Sequence, residues 1–433
     1  MERRVMADLE AWWRRADRKP LVLRGVRQSG KTWLLREFGR RRFTSQIYLN
    51  FEKEPALAGL FEQDLDAHRI IRNLSILRNQ AIDPATTLII MDEIQACPPA
   101  LTSLKYFAED ASEYAVAAAG SLLGLAIHDA ASFPVGKVDF LDLHPLTFGE
   151  FMTAGGHARL ADYLAGLTPG TRPSPALTAQ AEDLLRQYLT VGGMPEAVAS
   201  WHANQDISRV EEIQQAILDS YVLDMAKHAT AKVFPKLTAI WRSIPRQLGR
   251  ANDKFIFSQA VAGARAKDLE DALEWLTAAG IAVKITTVSH PAIPLSSYAD
   301  DKHFKLFVCD VGLLRKMAEV PAAAIMTPTG AVEHFQGPLT ENYVLMQLIA
   351  AGHQPYSWRS GNTAEVDFLI QYGTEVVPIE VKSGSRTRSR SLGVYKSRYG
   401  PALALTLSLK PTVNGHLPLY AAWSVGDYLG RLG

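Results

Sequence analysis

Along the first 145 residues the apolar positions gather into short runs instead of alternating. Leu21-Val22-Leu23 is apolar throughout, as a strand buried on both faces of a parallel sheet would be. Ile47-Tyr48-Leu49-Asn50-Phe51, Leu88-Ile89-Ile90-Met91, Ala115-Val116-Ala117-Ala118-Ala119 and Asp139-Phe140-Leu141-Asp142-Leu143 follow, which completes a set of five strands. Between the first two, residues 32–38 read as a helix, and an irregular charged helical stretch runs on to about residue 80. Residues 1–20 predict a further helix, with Leu9, Trp12 and Trp13 on one side and Pro20 as its stop.

Beyond residue 150 the rhythm turns helical. Residues 154–180, rich in Ala, Gly, Thr and Pro, show little periodicity and predict a variable connection. A helical segment from Ala181 runs into Gly192-Gly193-Met194-Pro195-Glu196, where glycines and proline mark a helix boundary. A second helix, at about 206–227, carries Ile213, Ile217, Tyr221 and Leu223. Residues 234–310 read as a helix (235–249), a short helix (255–260, with Ser258 as its cap), a longer helix (266–279, ending at Gly280) and two strands, 281–285 and 303–308. That is the order of a winged helix, a module that contacts DNA or protein. The last hundred residues open with a helix carrying Glu341 and continue as strands 356–360, 364–370 and 376–383, with a Tyr372-Gly373 turn before the last. Four regions result: 1–155, 156–233, 234–325 and 326–433.

A chain of 433 residues is too long for a single core. Its 46 Lys+Arg against 45 Asp+Glu leave a net charge of +1, so any attraction to DNA must come from local patches. The basic end of the first helix (Arg14, Arg15, Arg18, Lys19) fits a solvated terminus or a contact with nucleotide, DNA or a neighbouring subunit. Cys97 and Cys309 lie far apart without metal-ligand spacing, which fits a reduced compartment. No apolar run reaches the ~18 residues of a membrane helix, and the first residues lack the apolar core of a signal peptide. A soluble, cytoplasmic protein with no membrane partner is the expectation.

The first strand runs straight into Gly25-Val26-Arg27-Gln28-Ser29-Gly30-Lys31-Thr32, a G-x-x-x-x-G-K-T motif followed by a helix. This is the context a P-loop needs. The glycines let backbone N–H groups curl around phosphates, Lys31 reaches the β/γ oxygens, Thr32 ligates Mg²⁺, and the helix N-terminus faces the anion. Gly25, Arg27, Gln28, Ser29, Gly30, Lys31, Thr32 and Trp33 are therefore the candidate nucleotide-binding residues, with ATP and Mg²⁺ as the cofactors. The apolar run ending in Asp92-Glu93 has the form of a Walker B strand, which delivers two carboxylates to the ligand-binding edge of the sheet. Asp92 would hold Mg²⁺ and Glu93 would polarise the attacking water.

A second constellation lies in Ala364-Glu365-Val366-Asp367 and Ile379-Glu380-Val381-Lys382-Ser383. An acid, a hairpin turn and E-x-K on the adjacent strand match the core of PD-(D/E)xK nucleases. Period-two alternation puts Glu380 and Lys382 on one face, with Val381 toward the core. Asp367 and Glu380 are the candidate metal ligands, Lys382 the stabiliser of the attacking hydroxide, and Glu341 an outer-shell member. Arg359 and the basic stretch 383–390 suit phosphate contact. E-x-K is also common as a solvated surface pair, and domains of this kind often bind without cutting.

Taken together, the chain resembles bacterial and archaeal AAA+ ATPases of the archaeal-ATPase and STAND-like branch that end in a PD-(D/E)xK-like domain of unknown function. The resemblance rests on residues 25–32, 88–95 (L-I-I-M-D-E-I-Q), 144–151 (H-P-L-T-F-G-E-F), 192–196 and 365–384. It implies an α/β protein: a P-loop AAA+ core, a helical lid, a winged-helix domain and a nuclease-like α/β domain. It also implies ATP and Mg²⁺ binding through Gly30, Lys31, Thr32 and Asp92, hydrolysis through Glu93, and a homo-oligomer, a hexamer being one form. Ser121 stands where such ATPases carry a polar residue that places the lytic water, and equally where a serine caps a helix. Relatives often carry Gly-Arg where this chain has Gly136-Lys137, and lysine lacks the bidentate fork of an arginine finger.

Two functional readings follow. One is an ATP-driven enzyme that processes branched or free-ended DNA, with metal-dependent cleavage at the carboxy-terminal site. The other is a nucleotide-gated switch or scaffold whose carboxy-terminal domain binds DNA or protein without cutting. A small-molecule kinase fits poorly, because the Asp-Glu pair favours water as nucleophile.

Overall fold

The five apolar runs form one parallel sheet. Its strands are β1 (Leu21–Arg24), β2 (Ser45–Asn50), β3 (Thr87–Asp92), β4 (Ala115–Ala119) and β5 (Asp139–Asp142), in the order β2-β3-β4-β1-β5. The computed structural model describes residues 1–120, 136–250, 254–327, 333–361, 364–384, 389–410 and 415–432. They divide into two units, residues 2–144 with 278–280, and residues 145–277 and 281–433 with Met1.

In the first unit, alternate residues of each strand serve opposite faces. Val22, Ile89, Met91, Val116 and Ala118 pack under the helices Ala67–Leu77 and Pro98–Asp110 through Ile70, Leu74, Leu104 and Phe107. Leu21, Leu23, Leu88, Ile90 and Ala117 turn the other way, against Leu9, Trp12, Leu34, Leu35 and Phe38 of the helices Val5–Arg14 and Lys31–Arg42. Both faces are covered, which is why these runs do not alternate. The basic end of the first helix is tied into its own unit: Arg18 stacks on Trp13 at 4.4 Å and donates to the Glu113 carbonyl, Arg15 pairs with Asp139, and Lys19 donates to the Gly136 carbonyl. Ser121 lies outside the described residues.

The second unit begins with helices. Residues 154–180 are not the irregular connection their composition predicts. Ala158–Ala165 is a helix burying Leu160, Ala161 and Leu164, and Pro175–Val191 is another, with Ser174 as N-cap and Pro175 in the first turn, where its missing N–H costs nothing. Thr147 and Glu150 close a capping box on the helix Phe148–Ala154, an arrangement worth about 1 kcal/mol. Helices follow at Pro195–Asn204, Ile207–His228, Phe234–Gly249, Phe257–Ala260 and Ala266–Ala278. Ile256, not Ser258, sits at the N-cap of the short one.

The glycine pair does more than end a helix. Gly192 has φ 78°, a left-handed conformation, and a Cβ there would lie 2.1 Å from Asp310 Oδ1. The Gly193 N–H donates to Asp310 Oδ2 at 2.6 Å, its carbonyl accepts from Leu146 N, and Asp310 also caps the helix Val311–Met317 through Leu313 N. Burial raises the Asp310 carboxyl to about 6, partly opposed by backbone donors at Gly193, Leu313 and Gly312. Being raised above its unfolded value, this group contributes extra stability below pH ~4 that is lost as the pH climbs through 6. Asp310→Asn, which cannot ionise, is therefore expected to gain on the wild type by roughly 3 kcal/mol between pH 4 and pH 7, at about 1.4 kcal/mol per pKa unit. Thermal unfolding of both proteins across that range checks it.

The unit ends in a seven-stranded mixed sheet of β6 (Ala282–Val288), β7 (Ala299–Val308), β8 (Tyr356–Ser360), β9 (Ala364–Tyr372), β10 (Glu375–Val381), β11 (Leu405–Ser408) and β12 (His416–Pro418). The order is β12-β11-β10-β9-β8-β6-β7. The β6/β7 hairpin, expected as the wing of a separate module, continues the later strands by parallel pairing of Thr287 and Val288 with Ser357 and Trp358. The helix bearing Glu341 starts earlier than expected, at Glu333, and ends at Ala350. Among the described residues no helix is long and apolar enough to cross a membrane, and Cys97 and Cys309 are both free and buried.

Candidate nucleotide site and a second carboxylate cluster

The P-loop leaves the carboxyl end of β1 and feeds the helix Lys31–Arg42. Gly25 takes φ 154°, and a Cβ there would meet the Leu143 carbonyl oxygen at 2.3 Å. Gln28 and Gly30 are left-handed, which curls the loop, and the Ser29 hydroxyl donates to the Val26 carbonyl. Arg3 braces the loop from outside through the Ser29 and His144 carbonyls. Lys31 is buried and donates to the carbonyls of Gly25 and Val26, both at 2.8 Å. Burial lowers its ammonium to about 8, with Glu93 and Asp92 opposing the fall. Arg27 is half-buried, Gln28 is exposed, and Trp33 is exposed on the outer side of the helix.

Because β3 is parallel to β1, its end reaches the same edge of the sheet. The Thr32 hydroxyl donates to Asp92 Oδ2 at 2.8 Å. The same oxygen accepts from Tyr48 Oη at 2.6 Å and lies 3.5 Å from Asn50 Nδ2, while Asp92 Oδ1 accepts from the Glu93 N–H. Tyr48 and Asn50 are functional neighbours that motif reading missed; the signal was two polar tips inside the apolar run of β2. The Tyr48 phenol is raised to about 12 by burial and by its bond to Asp92, so it stays a donor. Glu93 sits at φ 50°, a conformation rare outside glycine, and accepts from Gln95 Nε2 at 2.7 Å. A hydroxyl and a carboxylate meeting at the loop are hard oxygen donors that suit Mg²⁺. Lys137 pairs with Glu109 at 2.8 Å.

At the other end of the chain, the sheet gathers its acids from three elements. In the β9/β10 hairpin Ile379 pairs with Phe368, which sets Glu380 beside Asp367, and Asp367 Oδ2 accepts from the Val381 N–H at 2.7 Å. Glu380 Oε1 accepts from Lys382 Nζ and from the Ser389 hydroxyl. Its buried Oε2 has no hydrogen-bond donor among the described residues. Asn342 exchanges two bonds with the backbone of Val308, both 3.0 Å, clamping the Glu341 helix to β7. That clamp brings Lys305 of β7 into the cluster: its Nζ lies 2.6 Å from Glu365 and 3.7 Å from Glu341. Burial alone would lower the Lys305 ammonium, but Glu341, Glu365 and Asp367 more than reverse it. Asp367 is pushed well up, by burial first and then by Glu341 and Glu380, and Glu341 is also raised by burial. Arg359 lies on β8 opposite Glu365.

Glu341, Asp367, Glu380 and Lys382 thus converge. Lys305 and Glu365 complete the group, and the motif pattern gave no sign of Lys305. No three His, Cys, Asp or Glu side chains among the described residues are arranged to hold a metal ion, so the cluster does not fit a divalent ion as it stands. Two lysines, Lys305 and Lys382, offset part of its charge from within.

Residues 17–152 match the family described as AAA domain. Residues 182–324 and 336–411 match two domains of unknown function (DUF8612 and DUF4143). No curated protein matches the chain. Among solved structures, a Walker-type ATPase of Pyrococcus abyssi is similar at 14% identity and TM-score 0.45, over 72% of this chain and 94% of that one. The Orc1 protein of Aeropyrum pernix in complex with DNA is similar at 12% and 0.30, over 74% and 92%, and Cdc6p of Pyrobaculum aerophilum at 12% and 0.26, over 75% and 93%. The match to the AAA domain thus falls on the residues that carry the P-loop, the Asp92-Glu93 strand end and the five-stranded parallel sheet.

Proposed function

We propose that this chain is a Mg²⁺-dependent ATPase whose nucleotide state governs a carboxy-terminal domain that engages DNA without cutting it. The observation that carries the ATPase reading is the Thr32–Asp92 contact, which joins the P-loop to the Walker B strand beside the buried Lys31. Thr32 and Asp92 would hold Mg²⁺, which neutralises charge on the β- and γ-phosphate oxygens. Lys31 exchanges its two loop carbonyls for phosphate oxygens, and the loop N–H groups cradle the rest. Glu93, which accepts from Gln95 Nε2, orients the attacking water and takes its proton. Glu93→Gln is expected to keep ATP binding and to lower turnover about 100-fold. Nucleotide titration and phosphate release on the same sample test this, and unchanged turnover in the variant contradicts it.

The DNA part rests on Arg386, Arg388 and Arg390, three arginines within five residues. Ser389, the residue before Arg390, donates to Glu380 of the acid cluster, and Arg386 and Arg388 lie outside the described residues. The two ammonium groups held within that cluster favour binding over cleavage. ATP turnover measured with single-stranded, duplex, forked and four-way DNA, with end-labelled strands scored for cuts, separates the two readings. Assembly into a homo-oligomer, with Lys137 or an arginine reaching a neighbour's nucleotide, belongs to the same proposal.

A further inference from the structure

We infer that Lys305 is the resident cation of the carboxy-terminal cluster, standing in for the divalent ion that a nuclease arrangement of these acids would need. The inference deepens the non-cleaving half of the proposed function and is independent of ATP hydrolysis. Lys305 enters from β7, far in sequence from the acids, and reaches Glu365 at 2.6 Å and Glu341 at 3.7 Å. Its side chain is only 17% exposed, so solvent does little to compete for it. The Asn342 clamp on Val308, three residues along the same strand, fixes both the lysine and the Glu341 helix. Lys382 takes one oxygen of Glu380 in the same way, and the Asp367 oxygen is spent on the Val381 N–H. Among the described residues the buried Oε2 of Glu380 is left without a donor. Mg²⁺ or Mn²⁺ requires near-octahedral oxygen ligation, and with the Lys305 ammonium between Glu365 and Glu341 no three of the described acids are arranged to begin it.

An ammonium held this closely by two carboxylates excludes a divalent ion by occupancy and by repulsion. Removing it leaves Glu341, Glu365 and Asp367 uncompensated around a vacated space, a set of oxygens suited to a hard cation. The full-length, nucleotide-free protein is the right test object, because without nucleotide the P-loop offers only Thr32 and Asp92. Fe²⁺ with ascorbate and peroxide cuts a backbone where the ion binds, and mass spectrometry maps the cuts. We expect no cuts near residues 341, 365–367 or 380 in the wild type. Lys305→Met should show them, at roughly tenfold or more above the background of the wild type, which corresponds to about 1.4 kcal/mol or more in affinity. Thermal unfolding gives a second readout. Lys305→Met and Lys305→Gln should melt lower in EDTA and recover with Mn²⁺, whereas the wild type should not respond to Mn²⁺. Cuts at the cluster in the wild type, or a Mn²⁺ stabilisation of the wild type as large as that of the variants, overturn the inference. So does a folded variant that gains neither cuts nor Mn²⁺ stabilisation.

Discussion

Lys31→Ala is expected to lower ATP turnover by about 10²–10³-fold and to weaken ATP binding measurably, the scale seen when one buried donor to developing charge is removed. Lys31 Nζ is buried and turned onto the Gly25 and Val26 carbonyls, so its ammonium is already in place and already dehydrated. Exchanging two neutral carbonyls for phosphate oxygens replaces ordinary bonds by charge-assisted ones, at no further desolvation cost to the lysine. Alanine removes that gain and leaves the two carbonyls without their donor. The Cα position and the left-handed Gly30 before it are untouched, so the loop should keep its curl. Circular dichroism unchanged from the wild type, together with lost turnover, is the expected pair of results. Retained turnover places ATP hydrolysis elsewhere.

The second large effect concerns stability. Gly193→Ala is expected to destabilise the carboxy-terminal unit by about 3 kcal/mol or more. The added Cβ would lie 2.2 Å from the Leu146 carbonyl oxygen and 2.8 Å from the Leu146 nitrogen. Both are backbone atoms, so no rotamer change relieves the contact. Moving apart breaks the Leu146 N–H bond to the Gly193 carbonyl and pulls the Gly193 N–H from Asp310, leaving a buried carboxyl short of a donor. Gly156→Ala is the control. Its φ of 82° is left-handed, as that of Gly193 is not, and nothing lies within 4 Å of the new Cβ, so only the backbone cost of about 1 kcal/mol applies. Urea unfolding of the two variants should separate them by about 2 kcal/mol or more. Equal costs would mean that the contact at Leu146 carries no weight.

What could be read from the residues was what is local. The run Thr87–Asp92 announces a buried strand because all six of its residues are buried, and Lys31, Thr32 and Asp92 follow from spacing alone. The placing of Asp367 and Glu380 side by side, one step beyond the Phe368–Ile379 pair, follows from a turn of two residues. Contacts made across long separations left no such trace. Lys305 meets Glu365 only because β6 pairs in parallel with β8, a register that neither strand advertises, and this turned an expected wing into part of a larger sheet. Tyr48 and Asn50 looked like ordinary strand residues until β2 settled beside β3. Residues 154–180, expected as an irregular connection, hold a helix and the start of another for a different reason. Their prolines and serine, read as breakers, serve as a helix start at Ser174 and Pro175.

The most direct test of the central claim is to titrate the full-length protein with ATP, with and without Mg²⁺, and to measure bound nucleotide and released ADP in the same samples. The account predicts one ATP per chain and ADP formation that requires Mg²⁺, both lost in Lys31→Ala. ADP formation that persists in Lys31→Ala, or no binding of ATP at all, would contradict it.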